Sequence, residues 1–323
     1  MSLRPEGVND ISFIVPVYRS EESLPELCTR IGRMMEERGG EYEIIMVEDA
    51  GGGGSWDIIT RLAATHQKVR GVQLARNFGQ HNALLCGIRK ANYPVIVTLD
   101  DDLQHPPEEV PKLLKKLEEG HDVVYGVPEE EQHGLWRDLA SQITKLVLQR
   151  AMGAETARHI SAFRAFRTVL RESFAEFGGS VISVDVLLTF GANRFATVRV
   201  RHEGRHFGQS NYTVTKLLTH ALNMITGFST LPLRIASLVG LGFTLFGLIV
   251  LSYVLGRFLI QGESVPGFPF LASIVAIFSG AQLFALGIIG EYLARMFVKM
   301  SGRPSYAIRT EVPALSSKGD GQA

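Results

Sequence analysis

VIVTLDDDLQHPP, residues Val95 to Pro107, sets a run of β-formers against three consecutive aspartates. Val95 to Leu99 reads as a buried strand, and Asp100, Asp101 and Asp102 follow it at once. Adjacent carboxylates repel one another unless a cation or strong hydrogen-bond donors relieve the charge. Gln104 adds an uncharged oxygen two residues beyond Asp102. Carboxylate and amide oxygens suit hard cations such as Mg²⁺ or Mn²⁺, which they bind together with phosphate. A zinc site would ask for histidine or cysteine, and His105 is the only such residue nearby. The competing explanation is a solvated acidic turn. The residues on either side weigh against it.

Upstream, strand-like and helix-like segments alternate. ISFIVPVY is followed by a helical stretch from Ser20 to about Arg38, YEIIMVED by SWDIITRLAATH, and VRGVQLA by GQHNALLCGIRKA. Downstream, PPEEVPKLLKKLEEG has prolines in its first turn, where a missing N–H costs little, and HDVVYG is a fifth strand. This order predicts an α/β fold, with right-handed crossovers and a largely parallel, Rossmann-like sheet covered by helices. Ligands gather at the carboxyl ends of such strands. Tyr18, Asp49, Arg76 and the aspartate run all fall there.

Lys+Arg and Asp+Glu both number 33, so no global charge points to nucleic acid. Cys28 and Cys86 lack metal-like spacing and fit free thiols in a reducing compartment. The apolar residues are concentrated late in the chain. No charge lies between Arg234 and Arg257, nor between Glu263 and Glu291. Each interval exceeds the ~20 residues that cross a bilayer core. The basic residues Arg234, Arg295, Lys299, Arg303 and Arg309 flank this pair, so the positive-inside rule predicts a hairpin with both ends in the cytosol. MSLRPEGVNDISF lacks the apolar centre of a signal peptide. The expected layout is a cytosolic catalytic domain over 1–212, a juxtamembrane amphipathic helix over 213–232, two transmembrane helices over 233–298 and a cytosolic tail over 299–323. A further amphipathic helix over about 136–152 is read as either sheet-packed or interfacial.

SFIVPVY, MVEDA, LARNFGQHNALLCG, TLDDDLQHPPEEVPKL, DVVYG, HFGQSNY and GAQLFALGIIGEYLAR together resemble family 2 glycosyltransferases that act on polyprenyl phosphate. The set covers roughly Ile11 to Arg303. The nearest layout is that of the undecaprenyl-phosphate aminoarabinose transferases, beside dolichyl-phosphate mannose synthases and bactoprenol glucosyltransferases. The resemblance implies a GT-A fold and transfer from a nucleoside-diphosphate sugar, UDP-linked by expectation, with inversion. It implies a multi-pass protein of the bacterial plasma membrane and is compatible with a homo-oligomer. Pro16, Tyr18, Glu21, Asp49, Asn77, Asp100, Asp101 and Arg164 would hold the donor. Asp102, Gln104 and Asp100 would hold Mg²⁺ or Mn²⁺. Arg137, Arg205 and Ser210 would meet the acceptor phosphate, with Asp102, Arg137 and Arg205 central to catalysis.

Three positions depart from the family pattern. Arg19 stands where asparagine is common, and AGGGGS replaces a Gly-Ser-x-Asp run after Asp49. Ala162 stands where some relatives carry an aspartate proposed as a base. A phosphate monoester is already anionic near neutral pH, so the loss of that acid leaves the chemistry intact. Two other functions were weighed. A processive polysaccharide synthase would carry Gln-x-x-Arg-Trp and more spans, and a catalytically silent nucleotide-sugar scaffold is suggested only by the altered glycine run.

Overall fold

The computed structural model describes residues 8–128, 160–178, 182–204, 231–261 and 267–314. It divides into two units, Met1–Leu217 with Pro304–Ala323, and Leu218–Arg303.

The first unit is built on an eight-stranded sheet. Its strands are β1 (Ile11–Val17), β2 (Tyr42–Glu48), β3 (Val69–Leu74), β4 (Val95–Thr98), β5 (Val123–Pro128), β6 (Arg164–Arg167), β7 (Phe195–Val200) and β8 (Ile308–Val312). The order is β7-β5-β6-β4-β1-β2-β3-β8. β4, β1, β2 and β3 form the parallel centre read from the sequence. All seven residues of β1 are buried, as expected of a strand covered on both faces. Phe13, Val15 and Val17 join one apolar cluster with α1 (Leu24–Arg38) and α4 (Val110–Glu118). α2 (Ser55–Thr65) packs beside α1, and α3 (Gln80–Lys90) covers the opposite face.

Gly87 of α3 crosses β1 so closely that an added Cβ would lie 2.4 Å from Cγ2 of Ile14. Ile14 is fully buried and β-branched, so it cannot swing aside. Gly87→Ala is therefore expected to destabilise by about 1–3 kcal/mol through overpacking, more than the ~1 kcal/mol that helix propensity returns. A thermal melt showing no loss would refute that packing argument.

Two antiparallel strands were not anticipated. β6 inserts between β4 and β5, pairing antiparallel with both. β8 follows the apolar helices in sequence, yet pairs with β3 of the catalytic sheet. Part of the span read as a tail over 299–323 is thus sheet. The short helix α5 (Val184–Leu188) contributes Asp185, which is buried.

The second unit holds α6 (Leu231–Gln261) and α7 (Phe268–Met300). Leu233–Arg257 and Ile277–Val298 are long and apolar enough to cross a membrane, and neither window is buried within the protein. Phe243 and Phe278 meet edge-on between the two helices. The amphipathic segment over 136–152, nearly all of that over 213–232, and Arg137, Arg205 and Ser210 lie outside the described residues.

Candidate active site

The carboxyl ends of β1, β2 and β4 share an unusual backbone feature. Among the described residues, the non-glycine positions with positive φ are Arg19 (57°), Ala50 (47°) and Leu103 (60°), one beyond each of these strands. Left-handed backbone costs a side-chain-bearing residue energy and concentrates where loops are held for function. Asparagine tolerates that conformation better than arginine does, a physical reason for its frequency at the Arg19 position. Here the Arg19 side chain is put to use. It donates to the Gly51 carbonyl at 2.7 Å and lies 5.3 Å over the Tyr18 ring.

The three aspartates answer their mutual repulsion separately. Asp100 accepts from the Gln80 amide at 2.7 Å, at the start of α3. Asp101 accepts from the Tyr18 backbone N–H at 3.0 Å, tying the β4 turn to the β1 loop. Asp102 accepts from the Gln104 N–H at 3.1 Å inside its own turn. Burial raises the Asp101 pKa above the ordinary carboxylate range, against the pull of Ser20 and the Tyr18 N–H. Among the described residues no three His, Cys, Asp or Glu side chains form a ready metal cage. The donor set still fits Mg²⁺ or Mn²⁺, because such ions take one or two carboxylates and complete their shell with phosphate and water. Asp102, Gln104 and Asp100 are the oxygen-bearing residues that would hold such an ion.

Other residues that the resemblance assigns to the donor also make contacts that hold the surrounding loops. Both oxygens of Asp49 accept backbone N–H groups, from Phe78 and Gly79, at 2.7 Å each. Burial nonetheless raises its pKa. Glu21 accepts from the Gly54 N–H at 2.6 Å, and a Cβ on Gly53 or Gly54 would fall within 3.0 Å of its carboxylate. The glycine run is thus packed against Glu21 and pinned by Arg19. Pro16 is buried within β1 and paired in register with Val47. Asn77 is exposed on the β3–α3 loop. Tyr18 is 43% exposed, an aromatic platform at the sheet edge.

Arg164, which the resemblance places at the donor, is a fully buried side chain bonded to Thr98 and Asp185.

Sequence reasoning missed three groups here. Gln80 lay in the quoted motif, but nothing marked it as a partner of Asp100. Glu48 is buried, with one oxygen on the Gly51 N–H at 2.7 Å and the other, Oε2, unpartnered beneath the glycine run. Its place in VED beside Asp49 was the available signal. The third is His202, whose ring stands edge-on to His105 with centroids 5.2 Å apart. Just beyond it, the Glu203 N–H donates to the Gln104 carbonyl at 2.9 Å, bringing the chain that leads to Arg205 onto the acidic turn.

His105 also gives the fold a pH dependence. Burial, helped by His202, pushes its pKa down to about 4. The unfolded chain takes up a proton near pH 6.5, whereas the folded one refuses it until about pH 4. Its contribution to stability is therefore complete above pH 6.5 and shrinks as pH falls through that window. The raised pKa values of Asp49 and Asp101 act in the opposite sense. In metal-free protein, His105→Phe is expected to lose less melting temperature than wild type between pH 7 and pH 4.5. Parallel melting curves would contradict this.

The candidate site thus lies at the carboxyl edge of a mostly parallel α/β sheet, around an acidic turn. The glycosyl transferase family 2 model matches residues 12–179. The chain belongs to that family and is a glycosyltransferase. It is 35% identical over 314 residues to an undecaprenyl-phosphate 4-deoxy-4-formamido-L-arabinose transferase of Serratia proteamaculans, covering 96% of each chain. A protein of the same name from Yersinia enterocolitica is 36% identical, over 96% of this chain and 95% of its own. The one from Pseudomonas aeruginosa is 33% identical, over 98% and 94%. Among solved structures, glucosyl-3-phosphoglycerate synthase from Mycobacterium tuberculosis, in complex with Mn²⁺, UDP and phosphoglyceric acid, superposes with a TM-score of 0.52. It is 19% identical and is covered over 76% of its length by 67% of this chain, a likeness that establishes the GT-A fold.

Proposed function

We propose that the protein transfers a sugar from UDP to polyprenyl phosphate at the cytosolic face of a bacterial plasma membrane, inverting the anomeric centre. The observation that carries this reading is the extent of the match to proteins named for undecaprenyl phosphate. At 96% of the chain it takes in the two apolar helices as well as the sheet. A prenyl chain stays in the bilayer, so its phosphate is presented at the headgroup plane. A catalytic unit carried on the same chain as a membrane hairpin would meet it there.

Tyr18, exposed at the carboxyl end of β1, offers a face for the nucleobase. In a single displacement, a phosphate oxygen of the acceptor bonds to the anomeric carbon while the bond to the UDP oxygen breaks. That oxygen is already anionic, so Ala162 leaves no proton stranded. The main obstacle is like charge, because at 4 Å two unit charges repel by ~4 kcal/mol at an effective dielectric of about 20. Arg137 and Arg205 are the cations we assign to that task. A Mg²⁺ or Mn²⁺ ion held by Asp102 and Gln104 would supply further neutralisation of the departing diphosphate.

The test is to incubate membranes carrying the protein with polyprenyl phosphate and labelled UDP- and GDP-sugars, then extract with organic solvent. UDP-4-deoxy-4-formamido-L-arabinose, the sugar of the relatives' name, heads the panel. Label should enter the lipid phase from a UDP-sugar, and only when the acceptor is present. Transfer to a soluble acceptor instead would refute the assignment. Undiminished turnover in EDTA would refute the metal.

A further inference from the structure

Arg164, Thr98 and Tyr125 stand in one cross-strand row, with Thr98 and Tyr125 each the register partner of Arg164. All three are buried to 1% exposure or less. The Arg164 guanidinium forms an ion pair with Asp185 of α5 and donates through Nε to Thr98 Oγ1 at 3.1 Å. Tyr125 donates its hydroxyl to the same Asp185 oxygen at 3.1 Å. Thr98 donates in turn to the Ala162 carbonyl at 2.5 Å. Burial raises the Tyr125 pKa well above its usual value, so the phenol remains a donor.

This cluster closes on the catalytic edge from two directions. Thr98 lies two residues before Asp100 on the same strand end. On the other side, the N–H of Val184, next to Asp185, donates to His81 Nδ1 at 3.4 Å. His81 adjoins Gln80, whose amide binds Asp100 at 2.7 Å. A circuit therefore runs from Asp100 through Gln80 and His81 to α5, across Asp185 and Arg164 to Thr98, and back to Asp100. Buried ion pairs are seldom retained for stability alone, since apolar residues of similar volume usually serve the fold as well.

We propose that Asp185 and Tyr125 are positioning residues for sugar transfer, fixing Arg164 and through it the strand end that carries Asp100. This rests on the glycosyl-transfer reading above. The carboxylate of Asp185 is delivered to the arginine of β6 from α5. Being ion-paired and buried, it orients the site and does not accept a proton from substrate.

Two variants test this. R164M/D185L replaces the charges with apolar groups of similar bulk, and Tyr125→Phe removes a single hydroxyl. Both should melt near the wild-type temperature. Displacement of a catalytic group by about 1 Å costs ~100-fold, so kcat for the double variant should fall by about that factor, with donor KM within about twofold of wild type. Tyr125→Phe should lower kcat about tenfold, again without moving KM. Wild-type kcat in either folded variant, or a rise in KM alone, would overturn the proposal. Should the double variant fail to fold, Tyr125→Phe decides the question by itself. Absence of transfer by the wild-type protein would instead count against the function proposed above.

Discussion

Asp102→Ala is expected to lower kcat for lipid-linked transfer by about 10³-fold or more while leaving the fold intact. The magnitude follows from the charge that develops on a departing nucleoside diphosphate, since removing one preorganised electrostatic partner typically costs 10²–10³. Losing the site of a divalent cation exceeds that. The structure also explains why the fold should survive. The Asp102 bond to the Gln104 N–H closes its own turn, whereas Asp100 and Asp101 tie the turn to α3 and to the β1 loop. Asp100→Ala and Asp101→Ala should therefore reduce melting temperature as well as activity, and Asp102→Ala mainly activity. The comparison is made by measuring turnover and thermal melting on the three variants together. If Asp102→Ala retained near wild-type kcat, the acidic turn would not be the catalytic centre.

The largest effect on stability is expected at the opposite end of the sheet. Glu43 of β2 is 6% exposed and gathers four donors. Its Oε1 accepts from the Ser12 hydroxyl and the Asn92 N–H, each at 2.7 Å. Its Oε2 accepts from Asn92 Nδ2 at 2.9 Å and pairs with Arg70 at 2.7 Å. One carboxylate thus joins β1, β2, β3 and the turn before β4. Glu43→Ala removes this acceptor from the buried Ser12 hydroxyl and from the part-buried Asn92 and Arg70 donors, a loss of about 3 kcal/mol. For a domain of this size that is a fall in melting temperature on the order of 10 °C. Glu43→Gln keeps one acceptor oxygen and should fall about half as far. An alanine variant within a degree or two of wild type would show that the network carries no net stability.

The parallel centre of the fold was legible because its strands are unbroken apolar runs. ISFIVPVY and VIVTL announce burial on both faces without reference to any other part of the chain. β6 was not legible, because RAFR places two cations in four residues. What lets it lie inside the sheet is Asp185, distant in sequence and invisible to any local pattern. β8 is exposed along nearly all its length, and its alternation is only five residues long, IRTEV, in a span read as tail. The gathering of polar residues at the carboxyl edge was legible, since each strand delivers its polar residue at a predictable end. The orientation of those residues was not predictable. Spacing places the three aspartates together, but a left-handed Leu103 and three separate donors distribute them among three loops. Likewise nothing in the spacing of Glu21 and Asp49 shows that their oxygens accept from the backbone of neighbouring glycine-containing loops.

The register between Gly71 and Val312 has a bearing on how the protein is made. A nascent chain emerging from the ribosome completes β3 early, yet its outer edge waits for a partner translated after both apolar helices. Until then the edge is an open template for aggregation, and closing so distant a pairing is slow. Release of Ile308–Val312 thus becomes a late checkpoint, so that the soluble half is finished only once the hydrophobic half has been synthesised.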